Sequence, residues 1–176
     1  MSVLVAYASH SGATATLAET VAATLAERGI TAASIPVEDS PDPGDYNACV
    51  LGSGIRYDAL EKTAVAWARD HHDALANRPF ALFTCSGSAA DPAKAGRQKG
   101  TDAFIKDPGP SPIAVKNFPG WVIMERLPIH EKVLLTGMRT PIGDFRDLDA
   151  VRAWTRDIIP LLHPGSGAAD QAAHGG

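Results

Sequence analysis

The sequence predicts an α/β fold in which a five-stranded parallel sheet is covered by helices on both faces. Three observations predict it. Short, continuously apolar runs recur along the chain, and a run without polar alternation suits a strand buried on both faces. Between these runs lie segments whose apolar residues repeat every three or four positions, the helical period. The two signals alternate along almost the whole chain, as parallel strands joined by helical crossovers require.

Each element can be justified in order. Val3-Leu4-Val5-Ala6-Tyr7-Ala8 is the first buried strand. After Ser9-His10-Ser11-Gly12-Ala13-Thr14 an alanine-rich helix extends to Arg28, with Leu17, Val21 and Leu25 on one stripe and Gly29 as its stop. Thr31 to Val37 is the second strand, and Ala48 to Leu51 the third, ending at Gly52-Ser53-Gly54. A second helix is expected from about Leu60 to Asn77, striped by Ala64, Trp67, His71 and Leu75. Pro79 to Thr84 is the fourth strand, which leaves through Cys85-Ser86-Gly87-Ser88. Asp91 and Pro92 read as the N-cap and first residue of a helix running towards Lys106. Pro108 to Pro112 break it, and Ile113 to Phe118 is the fifth strand. Trp121 to Thr140 keeps no period and reads as a long loop with one helical turn or more. Asp147 to Leu162 is the final helix, with Val151, Trp154 and Ile158 on one face. Residues 1–163 make one domain. Residues 164–176, poor in anything to bury, are expected to form a disordered tail.

The chain has 176 residues, 45% hydrophobic and 20% charged, the balance of an ordinary soluble domain. That length supports one core and is short for two. No apolar run approaches the roughly 20 residues that span a bilayer. No basic segment precedes Val3, the first cation being Arg28, so a secretory signal is not expected either. Two cysteines, Cys49 and Cys85, make no disulfide framework and fit a reducing, cytoplasmic setting. A formal charge of −4 argues against a nucleic-acid partner. The charge is uneven: residues 1–60 carry two cations and seven acids, and residues 94–139 carry eight cations and four acids. The second stretch either attracts an anionic substrate or is simply a solvated face.

Ligands of open parallel sheets bind beyond the C-terminal strand ends, at the switch point. The loops Ser9 to Thr14, Ser53 to Asp58 and Cys85 to Asp91 therefore matter most. In the first, a helix N-terminus offers unpaired N–H groups and the positive end of its dipole. Ser9, Ser11 and Thr14 add hydroxyls, and Gly12 permits close approach, while no Lys or Arg is present. The loop either binds a phosphate through N–H and O–H donors alone or is an ordinary Ser/Thr cap. It lacks G-x-x-x-x-G-K-[ST], and its single glycine is no dinucleotide fingerprint.

Val5, Tyr7, Ser9, Gly12, Thr14, Ala18 and Val21 fill the places of a flavodoxin signature, with Ala6 small where a bulky group is preferred. The chain thus resembles the flavodoxin family, in element order from Val3 to about Leu162. The resemblance implies a flavodoxin-like sheet of order 2-1-3-4-5 and non-covalent FMN, its phosphate on Ser9, His10, Ser11, Gly12, Ala13 and Thr14. Gly52-Ser53-Gly54-Ile55-Arg56-Tyr57 is similar to the G-[AS]-x-I-R-Y turn of quinone-dependent protoporphyrinogen oxidases (dehydrogenases) and their flavodoxin-domain relatives. Gly143 to Asp147 with Val151 to Trp154 is similar to the ending of bacterial members of that group. The likeness implies an FMN enzyme or redox partner whose flavin also meets Ser53, Gly54, Ile55, Arg56, Tyr57, Cys85, Ser86 and Gly87.

Within that frame several residues keep two readings. Tyr57 either stacks on the flavin or packs on the sheet edge. The Cys85 to Ala90 loop has no aromatic, which leaves one flavin face open to a substrate, as hydride transfer requires. Arg56 either stabilises the reduced flavin, binds a substrate carboxylate, or forms a surface ion pair. Trp121, Val122, Ile123, Met124 and Leu127 form either an apolar lip beside the flavin or core. Cys85 has neither G-x-C-x-G nor C-x5-R around it, so a nucleophilic role is not expected. His71 and His72 read as structural, and no histidine spacing suggests a metal. The expected activity is dehydrogenation of protoporphyrinogen IX or a related donor with a quinone as acceptor. The alternatives are a flavodoxin-type electron carrier and a flavin-free binding module. Expected partners are a small-molecule redox substrate, a quinone or a redox protein, with a peripheral membrane contact left open.

Overall fold

The computed structural model describes residues 1–95, 97–107, 109–122, 129, 133 and 143–163. Its elements run β1 (Ser2–Ala8), α1 (Ala13–Ala26), β2 (Thr31–Pro36), β3 (Ala48–Arg56), β4 (Ala59–Leu60), α2 (Lys62–Asp70), α3 (His72–Ala76) and β5 (Phe80–Ser86). They continue α4 (Pro92–Ala95), α5 (Lys99–Lys106), β6 (Ala114–Pro119), β7 (Trp121–Val122), β8 (Gly143–Asp144) and α6 (Leu148–Leu162). The five long strands are parallel in the order β2-β1-β3-β5-β6, with β4 antiparallel on β3. This is the flavodoxin-like order expected from the sequence; the two-residue β4 merely shifts the numbers of the last two strands.

Alternate residues of each strand face opposite sides, and both sides are apolar. Val3, Val5, Val50 and Phe83 pack with Leu17, Val21 and Leu25 of α1 and Val151, Trp154 and Ile158 of α6. Leu4, Ala6, Leu51 and Leu82 pack on the other side with Ala64 and Trp67 of α2 and Leu75 of α3. The rings of Phe83, Phe118 and Trp154 meet edge to face, with centroids 5.6–6.2 Å apart, the favoured arrangement of aromatic quadrupoles. α1 ends in a Schellman motif: the Ile30 N–H reaches the Leu25 carbonyl at 3.1 Å and the Gly29 N–H the Ala26 carbonyl at 2.9 Å. Gly29 takes φ +74° there, which explains the glycine.

Several boundaries differ from expectation; among them, β5 runs past Thr84 to Ser86, so Cys85 and Ser86 are strand rather than loop. The third strand does not stop at Leu51; β3 continues to Arg56 and turns back into β4, so Ser53 to Arg56 are strand rather than loop. The second helix bends at His71, where φ is −105°, so that Trp67 and Leu75, on either side of the bend, are both buried. The helix opened by Asp91, whose Oδ1 accepts the Ala93 N–H at 3.0 Å, is divided into α4 and α5. Gln98 is extended between them, φ −119° and ψ 120°, because its buried amide is bonded to loop hydroxyls and to the Lys94 carbonyl. Of the expected 121–140 loop, Trp121–Val122 is strand, paired antiparallel with Gly143–Asp144. Residues 123–128 and the 164–176 tail lie outside the described residues. Among the described residues no helix is long and apolar enough to cross a membrane.

Candidate functional site

The loop from β1 to α1 is built around Gly12, which stands at φ 94° and ψ −10°. Glycine reaches this left-handed conformation at little cost. Gly12 is also the N-cap of α1, and no side chain caps the helix. The Ser/Thr-cap reading of this loop is therefore wrong: Ser9 Oγ accepts the N–H of Gly12 itself at 3.1 Å, not one from the first turn. The hydroxyl of Thr16 turns back to the Gly12 carbonyl at 3.2 Å. The leading N–H groups of a helix have no acceptor within it. Here they keep that donor capacity, and the first turn carries no acid.

The β3–β4 turn brings a second group of residues to the same edge. Tyr57 and Asp58 both have positive φ, 50° and 58°, which a two-residue hairpin turn of this twist demands. The turn reverses the chain between Arg56 and Ala59. One guanidinium nitrogen of Arg56 lies 3.3 Å from His10 Nδ1, and its carbon 5.5 Å from the centroid of the Tyr57 ring. A cation thus reaches the first loop from a strand 46 residues away. Tyr57 packs on no sheet edge; it is 67% exposed at the tip. Ser53 is fully buried and closes the hairpin, its Oγ accepting the Glu61 N–H at 3.0 Å and donating to the Gly54 carbonyl at 2.9 Å. A Cβ on Gly54 would meet Glu61 Oε1 at 3.4 Å and Thr14 Oγ1 at 3.5 Å. Glu61 Oε1 is itself buried without a hydrogen-bond partner among the described residues.

The third loop is a closed polar network. Ser86 Oγ accepts the Ala89 N–H at 3.1 Å, and the Ser86 and Ser88 hydroxyls share Gln98 Oε1 at 3.1 and 2.8 Å. Gly87 has ordinary right-handed helical angles. Cys85 turns its thiol inwards, against Gly120, where an added Cβ would come within 2.8 Å of Sγ. Burial pushes that thiol up to about 12, with the Thr14 hydroxyl and Arg146 drawing it down only in part. It stays protonated at neutral pH and is no nucleophile.

The fourth contributor is Trp121, which the sequence offered only as apolar lip or core and not as a hydrogen-bond donor. Trp121 Nε1 donates to Ser11, 3.1 Å to the carbonyl oxygen and 3.2 Å to Oγ. The Arg146 guanidinium lies 3.9 Å from the centroid of the Trp121 ring, a cation–π contact. Asp144 holds that guanidinium in a fork, 2.8 Å to Nε and 2.5 Å between Oδ2 and the terminal nitrogen. Arg56 and the bonded Trp therefore come to the cation-free loop from elsewhere in the chain, with Arg146 stacked on the indole. The motif Gly143 to Asp147 drew attention to this region, yet nothing in it signals a contact with Ser11.

The structure thus brings Ser9, Ser11, Gly12, Ala13 and Thr14 together with His10 and Arg56, and sets Gly54 and Cys85 against Thr14. Ile55 lies in β3 opposite Leu60, while Ser86 and Gly87 belong to the neighbouring network. A groove of about 660 Å³ lies elsewhere, between α2 and α5, lined by Leu60, Val65, Ala103 and Phe104. Its floor is mainly apolar, and the ion pairs Lys99–Asp58 at 3.1 Å and Arg69–Asp107 at 2.8 Å stand at its edges. Among the described residues no group of His, Cys, Asp and Glu could hold a metal ion.

Comparison with known proteins agrees with the sheet order. A family model described as a flavodoxin domain matches residues 4–149. A protoporphyrinogen IX dehydrogenase [quinone] from Leishmania major is 27% identical over 179 residues, covering 92% of this chain and 77% of its own. Oxidised flavodoxin 1 from Bacillus cereus superposes with a TM-score of 0.54 at 16% identity, covering 90% of this chain and 97% of its own. The two-electron reduced flavodoxin of Megasphaera elsdenii gives 0.54 at 21% identity, over 73% of this chain and 89% of its own. At such identities the two structures speak for the fold alone.

Proposed function

Because the chain belongs to the flavodoxin-domain family, we propose that it is an FMN-binding oxidoreductase that dehydrogenates a porphyrinogen-type donor and passes the electrons to a quinone. One observation carries the cofactor reading: α1 begins without a side-chain cap at a left-handed glycine. The helix dipole and its leading N–H groups thus stay available to an anion. Ser9 and Ser11 flank that position with hydroxyls, and Arg56 adds positive charge from outside the loop. The donor set suits a phosphate dianion, since charge-assisted bonds are roughly twice as strong as neutral ones. The buried, unpaired Glu61 Oε1 offers an acceptor of the kind that the hydroxyls of a polyol chain satisfy.

FMN, when bound, supplies the capacity to take two electrons from a donor and release them to an acceptor. The chain's own residues bind and orient. Exposed Tyr57 at the hairpin tip offers an aromatic face for stacking, whereas the Ser86–Ser88 loop offers only small groups. That asymmetry supports access of a donor to one face of the ring. Arg56, beside both Tyr57 and His10, is suited to a carboxylate of an anionic donor or to charge on the reduced ring. The porphyrinogen and quinone parts of the proposal rest on the Leishmania relative and on the I-R-Y turn.

The experiment begins with an absorbance spectrum of the purified chain and release of any bound flavin. Assay of the reconstituted protein with protoporphyrinogen IX and a quinone follows. Stoichiometric FMN with donor-dependent quinone reduction is expected. FMN binding with no turnover of that donor, but electron exchange with a flavodoxin reductase, would replace the enzyme by an electron carrier. A colourless chain that refuses added FMN would replace both by a binding module.

A further inference from the structure

We propose that Trp121 is a positioning residue for anion binding: by bonding to Ser11 it fixes which way the Ser11 hydroxyl donates. This rests on the reading that the β1–α1 loop holds the phosphate of FMN, and it adds a residue 110 positions away in sequence.

The argument is one of donor and acceptor inventory. An indole N–H can only donate, whereas a serine hydroxyl has one hydrogen and two acceptor sites. The Trp121 N–H lies 3.2 Å from Ser11 Oγ and 3.1 Å from the Ser11 carbonyl oxygen, so it occupies an acceptor site of the hydroxyl. The hydroxyl hydrogen is thereby turned away from the indole, and Ser11 meets a ligand as a donor. Ser9 is set in the same sense, because its Oγ already accepts the Gly12 N–H. Two hydroxyls of one loop are thus oriented as donors before any ligand arrives, which lowers the ordering cost of binding an anion.

The indole is held for this task. Arg146 stacks on its ring at 3.9 Å, and Asp144 grips Arg146 through both carboxylate oxygens. The Phe145 N–H donates to the Gly120 carbonyl at 3.1 Å, and β7 pairs with β8. The ring therefore has little freedom to leave Ser11. A ligand without the anion gains nothing from this arrangement, so the effect should appear as a preference for FMN over riboflavin.

The test is the dissociation constant of FMN and of riboflavin for the full chain and for Trp121→Phe, Ser11→Ala and the double variant. Circular dichroism and thermal melts check that each is folded. Trp121→Phe keeps the ring and removes the N–H. We expect it to weaken FMN by about fivefold and Ser11→Ala by about tenfold, the scale of one charge-assisted hydrogen bond, with riboflavin unchanged. The double variant should bind FMN no worse than Ser11→Ala, because Trp121 acts through that hydroxyl. Arg146→Gln, which keeps the indole but removes the cation stacked on it, serves if Trp121→Phe does not fold: it should weaken FMN and leave riboflavin unchanged, and an intact FMN preference would overturn the inference. The inference is overturned if Trp121→Phe preserves the FMN preference, if both flavins weaken together, or if the two single effects add. A wild-type chain that binds both flavins equally refutes the phosphate reading itself and the inference with it. A wild-type preference that Trp121→Phe leaves intact refutes the inference alone.

Discussion

At Asp144 and Arg146 the local chemistry can be followed into a pH dependence. The Arg146 guanidinium beside Asp144 holds its carboxyl below the ordinary aspartate value, the side-chain hydrogen bond being the main cause and partial burial opposing it. A depressed carboxylate pKa stabilises the fold above the unfolded value, about 3.9. That contribution is lost as pH falls through the lower, folded value. Asp144→Asn should therefore lower the melting temperature at neutral pH, with a gap to wild type that is constant down to about pH 4. The gap should close in stronger acid. Since the Asp144 side chain is 47% exposed, the gap should not exceed roughly 2–4 °C. A gap that grows in acid would contradict the pairing. Gly12 shows a different residue-scale lesson. Without a Cβ it can leave the first turn uncapped, so the same glycine that shapes the loop also keeps its donors available.

Among the elements, β3 does the most to position the site. Its interior residues pair with β1 and β5, and its last two pair with β4, so Arg56 and Tyr57 are carried out to the loop edge on a continuous strand. That strand passes the Phe83 ring so closely that a Cβ on Gly52 would come within 2.2 Å of it. Phe83 cannot retreat, because it is fully buried against Phe118 and Trp154. Gly52→Ala should therefore destabilise the fold by about 1–3 kcal/mol, read as a lower midpoint in urea unfolding. An unchanged midpoint would mean the core yields at no cost. The break between α4 and α5 follows a related logic. Continuing the helix through Gln98 would move its buried amide away from Ser86 and Ser88 and leave polar groups unsatisfied, a penalty of about 1–3 kcal/mol each.

On the scale of the whole molecule, the candidate site lies at the carboxyl ends of β1 and β3, where the crossovers depart to opposite faces of the sheet. From β1 the chain crosses by α1 to the outer strand β2; from β3 it crosses the other way to β5. That divergence opens the crevice that binds ligands in sheets of this kind. Binding there would join the β1–α1 loop, the β3–β4 turn and the paired strands β7 and β8, so a ligand that prefers the folded chain would stabilise all of them at once. At FMN 100-fold above its dissociation constant the gain is about 2.7 kcal/mol, or roughly 5–11 °C for a chain of this size. Thermal melts with increasing FMN should rise continuously in this way. A melting temperature indifferent to FMN would count against the site.

The sequence by itself determined the alternation of buried strands and covering helices, and its resemblance to a known family supplied the order of the sheet. Apolar period and chain punctuation are local signals: Val3 to Ala8, the Leu17–Val21–Leu25 stripe and Gly29 can each be read within a few residues, and the buried side chains follow them. It also marked the Ser9 to Thr14 loop as an anion candidate, though it left capping as an equal reading. Only the tertiary structure decided that the loop is uncapped, that β3 runs on to Arg56, and that Gln98 interrupts a helix. It alone set Arg56 beside His10 and Trp121 beside Ser11. These outcomes depend on pairs separated by 12, 46 and 110 residues, and no local period encodes which distant donor meets which acceptor. For Gln98 and Trp121 they follow from the requirement that buried or half-buried polar groups find partners, and for Arg56 from the turn that carries it to the same edge.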